Sequence, residues 1–282
     1  MPCRGGALAR LAFRAPVVVV NGRCYRVLKE LGRGGHAILH MATGEEGGRY
    51  VLKRPAQCFD DEDEALFAAE CRILSSLRHP NIVRAVDFGV DAGSGGCVLV
   101  MEHVGGKRLW EGLHVLVEGE VAHCLLECLR VCEYLGQQGI AHGDLKPDNI
   151  LITPDRSIRI ADLGVATPHG EPLRGWSPAF VAPEHAGGAQ APAHATTDLY
   201  SLGICFYWLL TGWHPYVEVG AASAQMDFAR RPAAPTQLNP TLDLRWDTCL
   251  LGLVDADPAR RSATAKRLLA APRRHLPGRE HR

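Results

Sequence analysis

His142-Gly143-Asp144-Leu145-Lys146-Pro147-Asp148-Asn149 is the stretch from which the rest of the chain is best understood. It sets a carboxylate, a lysine and an amide within one short loop. The loop lies between an expected helix, Glu120 to Gln138, and an expected apolar strand, Ile150 to Thr153. A turn needs no such concentration of polar groups. Asp144 can accept the proton of a hydroxyl, and Lys146 can hold an anionic oxygen as a point charge. The amide oxygen of Asn149 suits a hard cation, which takes oxygen ligands.

Working outward, Asp162-Leu163-Gly164 follows a second expected strand, Ser157 to Ile160. Asp162 offers another oxygen to the same cation, and the glycine lets the chain swing away. Near the start, Leu31-Gly32-Arg33-Gly34-Gly35-His36-Ala37-Ile38-Leu39 joins two expected strands. Glycines there let the backbone approach phosphate oxygens and present N–H groups to them. A tight β-turn uses the same glycines. Lys53 sits in the strand Tyr50-Val51-Leu52-Lys53, where its side chain points to one face and needs a carboxylate. Glu70 lies mid-helix after the acidic run Asp60 to Glu64, so the two together form an expected ion pair aiming Lys53 at phosphates. Each residue alone reads as a surface charge. Their order reads as phosphoryl transfer, which needs positioned phosphates, a metal and a carboxylate near the attacking hydroxyl.

The 282 residues, 46 % apolar and 22 % charged, suffice for one two-lobed globular domain or two small ones. Lys+Arg and Asp+Glu both number 31, which gives no support for bulk attraction to nucleic acid or to a membrane surface. Ten cysteines occur with no Cys-x-x-Cys pair, matching neither a zinc site nor a disulfide scaffold and suiting a reducing compartment. Cys124, Cys128 and Cys132 recur every four residues and read as small apolar side chains on a buried face. No apolar run is long enough for a membrane span. A cytoplasmic protein is expected. The basic N-terminus leaves a targeting segment as a minor alternative, although Ala15 to Val20 reads better as a leading strand.

The ordered set resembles the eukaryotic-type protein kinase family, serine/threonine branch, over residues 23–271. Further segments carry the likeness: Arg78-His79-Pro80-Asn81-Ile82-Val83, Val100-Met101-Glu102-His103-Val104, Ala182-Pro183-Glu184, Asp198-Leu199-Tyr200-Ser201-Leu202-Gly203 and Asp257-Pro258-Ala259-Arg260-Arg261. The resemblance implies an α+β, bilobal protein kinase-like fold: a β-rich N-lobe with one helix, at about 23–101, a hinge at about 102–106 and a mainly α-helical C-lobe at about 107–271. A basic leader, 1–22, and a basic tail, 272–282, flank it. It implies Asp144, Lys146 and Asn149 as catalytic residues and Asn149 and Asp162 as Mg2+ ligands. ATP would be held by Leu31, Gly32, Gly34, Gly35, Ala37, Leu39, Val51, Lys53, Glu70, Met101, Glu102, Val104 and Leu151. Structural roles fall to His142, Gly164, Glu184, Asp198 and Arg261, with Arg261 pairing Glu184. ATP and Mg2+ are the implied cofactors. A protein with a Ser or Thr acceptor is the implied partner, beside an unidentified regulatory protein.

The chain departs from the family at several positions. Ala37 replaces the third loop glycine, Leu163 the usual Phe, and Val51 the usual Ala beside adenine. Gly143 replaces the Arg that precedes the catalytic Asp and that gathers an activation-loop phosphate. Only Thr167 and Ser177 carry hydroxyls between Gly164 and Ala182, so activity independent of phosphorylation there is expected. Two rival readings remain. His-Gly-Asp also opens the catalytic loop of small-molecule kinases of the aminoglycoside or choline type, and a pseudokinase would keep the fold as a binding module. Ala182-Pro183-Glu184 and the Asp198 segment favour a protein substrate over the former. The retained Lys53, Glu70, Asp144, Asn149 and Asp162 oppose the latter.

Overall fold

The computed structural model describes residues 16–34, 37–56, 61–112, 116–188, 190–217, 226–272 and 275–278. The chain divides into two compact units. One holds the residues up to Ala68 together with Ala85–His103, and the other holds Ala69–Arg84 and the chain from Val104 onward.

The first unit is built on a six-stranded antiparallel sheet. Its strands are β1 (Val17–Val20), β2 (Arg23–Arg33), β3 (Ala37–Gly44), β4 (Arg49–Pro55), β5 (Ala85–Val90) and β6 (Cys97–Glu102), in the order β1-β2-β3-β4-β6-β5. Short turns link most neighbours, as at Gly44, whose N–H bonds the Gly48 carbonyl at 2.9 Å. Residues opposite each other across the ladder share a face. One face buries Val18, Val20, Tyr25, Val27, Ala42, Leu52, Val98 and Val100 as the core of the unit. Of the leading strand expected from Ala15 to Val20, Val17–Val20 form β1, and Ala15 lies outside the described residues. Asp91 closes the end of this core: it is buried, and its Oδ1 accepts the N–H of Val19 at 2.9 Å.

The division between units falls inside α1 (Asp61–Ser76), the helix opened by the acidic run. Residues 69–84 group with the helical unit, whereas the expected N-lobe, at about 23–101, includes them. The reason lies in the chain after the helix. Val83 N–H bonds the Ile160 carbonyl at 2.9 Å, Ile160 N–H bonds the Asn81 carbonyl at 2.7 Å, and the Asn81 side chain donates to Ile158 at 3.0 Å.

The helical unit contains α2 (Leu109–Gly112), α3 (Glu118–Gln137), α4 (Ala195–Thr211), α5 (Pro235–Leu238), α6 (Arg245–Leu253) and α7 (Pro258–Ala270). Two short sheets accompany them: β7 (Lys107–Arg108), β9 (Ile150–Ile152) and β10 (Ile158–Ile160) in the order β10-β9-β7, and β8 (Ile140–Ala141) with β11 (Thr167–Pro168). α3 buries Cys124, Cys128 and Cys132 with its leucines and valines, as the four-residue spacing predicts. Burial pushes these thiols up, Cys124 to about 12. α4 is buried on nearly all sides, consistent with its continuous apolar sequence, and ends at Gly212, whose φ of 77° closes the helix. The run Ala221–Ala229 reads from sequence as a helix, and its described part, Met226–Ala229, is not helical. Ala221–Gln225 lie outside the described residues, and Met226–Ala229 form a turn in which Asp227 Oδ1 accepts Ala229 N–H at 3.0 Å. The Asp side chain satisfies the backbone locally and competes with helix formation.

Among the described residues, no helix is long and apolar enough to cross a membrane.

Candidate active site

The loop Asp144–Asn149 is held from beneath by α4. Asp198, in the first turn of that helix, is fully buried, and its two carboxylate oxygens accept the N–H groups of His142 at 2.7 Å and Gly143 at 2.9 Å. Burial pushes the Asp198 carboxyl up, opposed by the electrostatic influence of the neighbouring His142 and by these two donors. His142, also fully buried, accepts Asp144 N–H on Nδ1 at 3.3 Å. Its proton therefore sits on Nε2, directed at the Ala161 carbonyl 3.3 Å away. The backbone entering Asp144 is thus fixed at consecutive residues by two buried side chains.

Three side chains meet in front of this support. Lys146 Nζ lies 2.5 Å from Asp144 Oδ2 and donates to Ser177 Oγ at 2.9 Å. Asn149 Nδ2 donates to the Asp144 carbonyl at 2.9 Å, which orients the amide and leaves its oxygen for other work. Asp144 Oδ1 is buried and has no hydrogen-bond partner among the described residues. A buried, unpaired carboxylate oxygen is costly and marks a place where a donor belongs.

The β9/β10 hairpin explains why Asn149 and Asp162 belong together. Ile150 pairs with Ile160, so the residues flanking the hairpin's open end are adjacent, and Ala161 N–H bonds the Asn149 carbonyl at 2.9 Å. Asp162 follows immediately with φ of 63°, a left-handed conformation uncommon for aspartate. Its Oδ1 accepts Gly164 N–H at 3.4 Å. Two oxygen-bearing side chains of this kind suit Mg2+, which binds through few protein oxygens and completes its shell with water and phosphate.

Farther along, Glu184 and the fully buried Arg261 pair, with Arg261 Nη2 at 2.8 and 2.9 Å from the two carboxylate oxygens. Arg261 Nη1 donates to Thr196 at 3.0 Å, and the guanidinium lies over the Tyr200 ring at 5.4 Å. Ser201 Oγ donates to the Phe180 carbonyl at 2.9 Å. Ala182-Pro183-Glu184 is thereby anchored to α4 and α7.

In the sheet unit, the ladder aligns the residues expected around a nucleotide. Leu39 lies opposite Lys53, and Val51 opposite Met101, so all four share the face turned away from the apolar core. Glu102 is opposite Tyr50 and falls on the other face. Lys53 is only 8 % exposed. Leu31, Gly32, Ala37 and Leu39 lie in the paired ends of β2 and β3, where Gly32 faces Leu39 and Gly34 N–H bonds the Ala37 carbonyl at 2.8 Å. Gly35 lies outside the described residues. Glu70 is buried in α1, Val104 follows β6, and Leu151 is central in β9.

Two positions carry more than the sequence suggested. Glu127 is structural: its Oε2 accepts Ile158 N–H at 2.9 Å at the start of β10. Asp148 is held by Arg108 at 3.1 Å and by the Trp110 indole at 3.3 Å. No local pattern announces the latter contact, because α2 is too short to give a hydrophobic period.

The family model for the protein kinase domain matches residues 25–272. The chain is 31 % identical to the serine/threonine-protein kinase PrkC of Bacillus subtilis, over 88 % of this chain and 39 % of that protein. It is 29 % identical to the serine/threonine-protein kinase pkn3 of Myxococcus xanthus, over 86 % and 48 %. It is 27 % identical to the serine/threonine-protein kinase PknB of Mycobacterium leprae, over 85 % and 41 %. The chain therefore spans less than half the length of these curated relatives. Protein kinases use ATP with a divalent metal, usually Mg2+, and the oxygen donors on the β9/β10 hairpin fit that metal. With the match over nearly its whole length, and with the sheet unit and helical unit the family requires, this chain belongs to the protein kinase family.

Proposed function

We propose that the chain transfers the γ-phosphoryl group of ATP to serine or threonine hydroxyls of protein substrates. The observation that carries the reading is the Asp144 carboxylate. One oxygen is taken by Lys146, and the other is buried without a partner. In this reading the acceptor hydroxyl donates to Asp144 Oδ1. Its oxygen attacks the γ-phosphorus, the bond from γ-phosphorus to the bridging oxygen breaks, ADP leaves, and the proton passes to Asp144. Lys146 steadies Asp144 and offers positive charge to the oxygens of the group in flight. Asn149 and Asp162 hold Mg2+, which neutralises phosphate charge. Lys53 holds the α- and β-phosphates, with Glu70 as its carboxylate, and the loop of Gly32, Gly34 and Gly35 lets the backbone come close to phosphate oxygens. Leu31, Ala37, Leu39, Val51 and Leu151 flank the base, Met101 is the gatekeeper, and the backbone of Glu102 and Val104 bonds adenine. His142, Gly164 and Asp198 shape the loops, and Glu184 with Arg261 anchors the acceptor platform.

The bond between Lys146 and Ser177 supports a protein acceptor rather than a small molecule, because it ties the catalytic loop to the segment that Arg261 anchors. The test is transfer of labelled phosphate from Mg-ATP to casein or myelin basic protein by the purified chain. Asp144→Asn should lower the rate by about 10²–10⁴-fold, the worth of a positioned base. An unchanged rate in that variant, or magnesium-dependent nucleotide binding with no turnover on any acceptor, would sink the reading. The second result would instead favour a binding module.

A further inference from the structure

Gly143 occupies a place where a side chain would be strained and closely packed. Its φ is 82°, which L-residues rarely adopt. A methyl group at its α-carbon would stand 3.3 Å from the Val165 carbonyl and 3.4 Å from Leu173 Cδ2. Leu173 therefore lies directly over the bare α-carbon next to Asp144. Gly175 is closer still to Val165, since a methyl there would meet Val165 Cγ1 at 2.9 Å.

Polar contacts continue the same clasp. Thr167 is fully buried, and its hydroxyl donates to the Val165 carbonyl at 2.8 Å while accepting Arg174 N–H at 3.3 Å. The Arg174 guanidinium reaches the Ala166 carbonyl at 3.4 Å and Glu171 at 3.2 Å. Behind it, Ala193 N–H bonds the Glu171 carbonyl at 2.7 Å and His169 N–H bonds the Gly139 carbonyl at 2.8 Å. β11 pairs with β8 over the same stretch. The hydroxyls between Gly164 and Ala182 are thus both engaged: Thr167 inside the clasp, Ser177 on Lys146.

We propose that Leu173 and Arg174 are positioning residues that clamp the stretch 165–175 onto Gly143, holding the chain between Asp162 and the Lys146-bound Ser177 in its working form without any phosphate group. The proposal rests on the kinase reading for its consequence in catalysis, though not for the clamp itself. An apolar side chain does here what a paired charge would otherwise do. It does so only because position 143 is glycine.

The test uses the full chain, treated with a phosphatase, and measures hydrogen exchange and turnover side by side. In the wild type, the amides of 165–175 are protected and turnover persists after phosphate removal. Leu173→Ala should exchange these amides about tenfold faster than the wild type, with exchange in α3 and α4 unchanged. It should lower kcat by a similar factor while leaving the KM for ATP within about twofold. Leu173→Met, which refills the space, should restore both quantities to near the wild-type values. Arg174→Ala should act in the same direction as Leu173→Ala, which covers the case in which that variant fails to fold. Wild-type exchange and turnover in both alanine variants would overturn the clamp, and so would loss of wild-type activity on phosphatase treatment. A wild type that never turns over ATP, yet shows the expected exchange pattern, would sink the kinase reading and leave the clamp standing.

Discussion

Arg261 has no side-chain exposure, whereas Glu184, its partner, retains about a quarter of its own. Removing the guanidinium would leave a partly buried carboxylate uncompensated, strip Thr196 of a donor and open a gap beside Tyr200. Breaking a buried ion pair at one end costs about 3–5 kcal/mol. Arg261→Ala should lower the denaturant midpoint accordingly, whereas Arg260→Ala, at a side chain 73 % exposed, should barely move it. Equal effects of the two would show that the Glu184 pair contributes no more than a surface contact. Lys146 invites a different measurement, since it touches both Asp144 and Ser177. Lys146→Met should cut turnover by about 10²–10³-fold with little change in stability. A variant that turns over normally would remove Lys146 from the mechanism. Residues of this kind were legible in the sequence because chemistry restricts them: few side chains can replace Asp144, Asn149 or Asp162. Leu173 and Arg174 were not, because nothing about a leucine or an arginine in a Gly- and Pro-rich stretch says what it lies against.

Elements were legible where a period had room to develop. α3, α4 and α7 carry long apolar stripes or runs, and α3, expected over Glu120 to Gln138, runs from Glu118 to Gln137. α7 begins earlier than its apolar pattern because Asp257 caps it, its Oδ1 accepting Ala259 N–H at 2.9 Å, with Pro258 at the first turn. β7, β8 and β11 are two residues long and offer no pattern. Packing between helices shows how tightly the sequence is constrained once the elements exist. Gly203 in α4 faces α6 so closely that a methyl group would stand 2.8 Å from Val254 Cγ1, 2.9 Å from Leu253 Cβ and 3.0 Å from the Leu253 backbone carbon. Alanine gains about 1 kcal/mol of helix propensity over glycine. The backbone cannot retreat as a flexible side-chain tip can, so overpacking at about 1–3 kcal/mol decides the sign. Gly203→Ala should therefore destabilise the protein in urea, and a stabilised variant would mean that α4 and α6 can slide apart at no cost.

For the whole molecule, the net charge near zero hides a bias in how its histidines are placed. His40, His79, His103, His169, His185 and His214 all have pKa values below the ordinary 6.5, and burial is the leading cause for each. His185 is 1 % exposed and uses one ring nitrogen on Thr197 at 3.2 Å. His214 points Nε2 at the Ala179 carbonyl at 2.8 Å. As pH falls through about 6.5, the unfolded chain takes up protons that the folded chain refuses, so stability falls with pH through that window. The loss levels off only below the folded values. Asp198 works in the opposite sense, since its raised carboxyl favours the folded state as it protonates, but it is one group against several. Asp91 adds a second, more acid step. Burial pushes its carboxyl up, yet hydrogen bonds from the Ser94 hydroxyl and from the N–H groups of Val19, Gly93 and Ser94 outweigh this and leave it below 3.8. Its contribution is complete above that value and is lost as pH falls through the lowered one. The denaturant midpoint should thus begin to drop as pH falls through about 6.5, and Asp91 should add a further drop below about pH 4. His185→Gln should make the first slope shallower, and Asp91→Asn should remove part of the second without touching the first. A flat profile from about pH 7.5 to 5.5 would mean that these rings meet water in the folded protein as freely as in the unfolded chain.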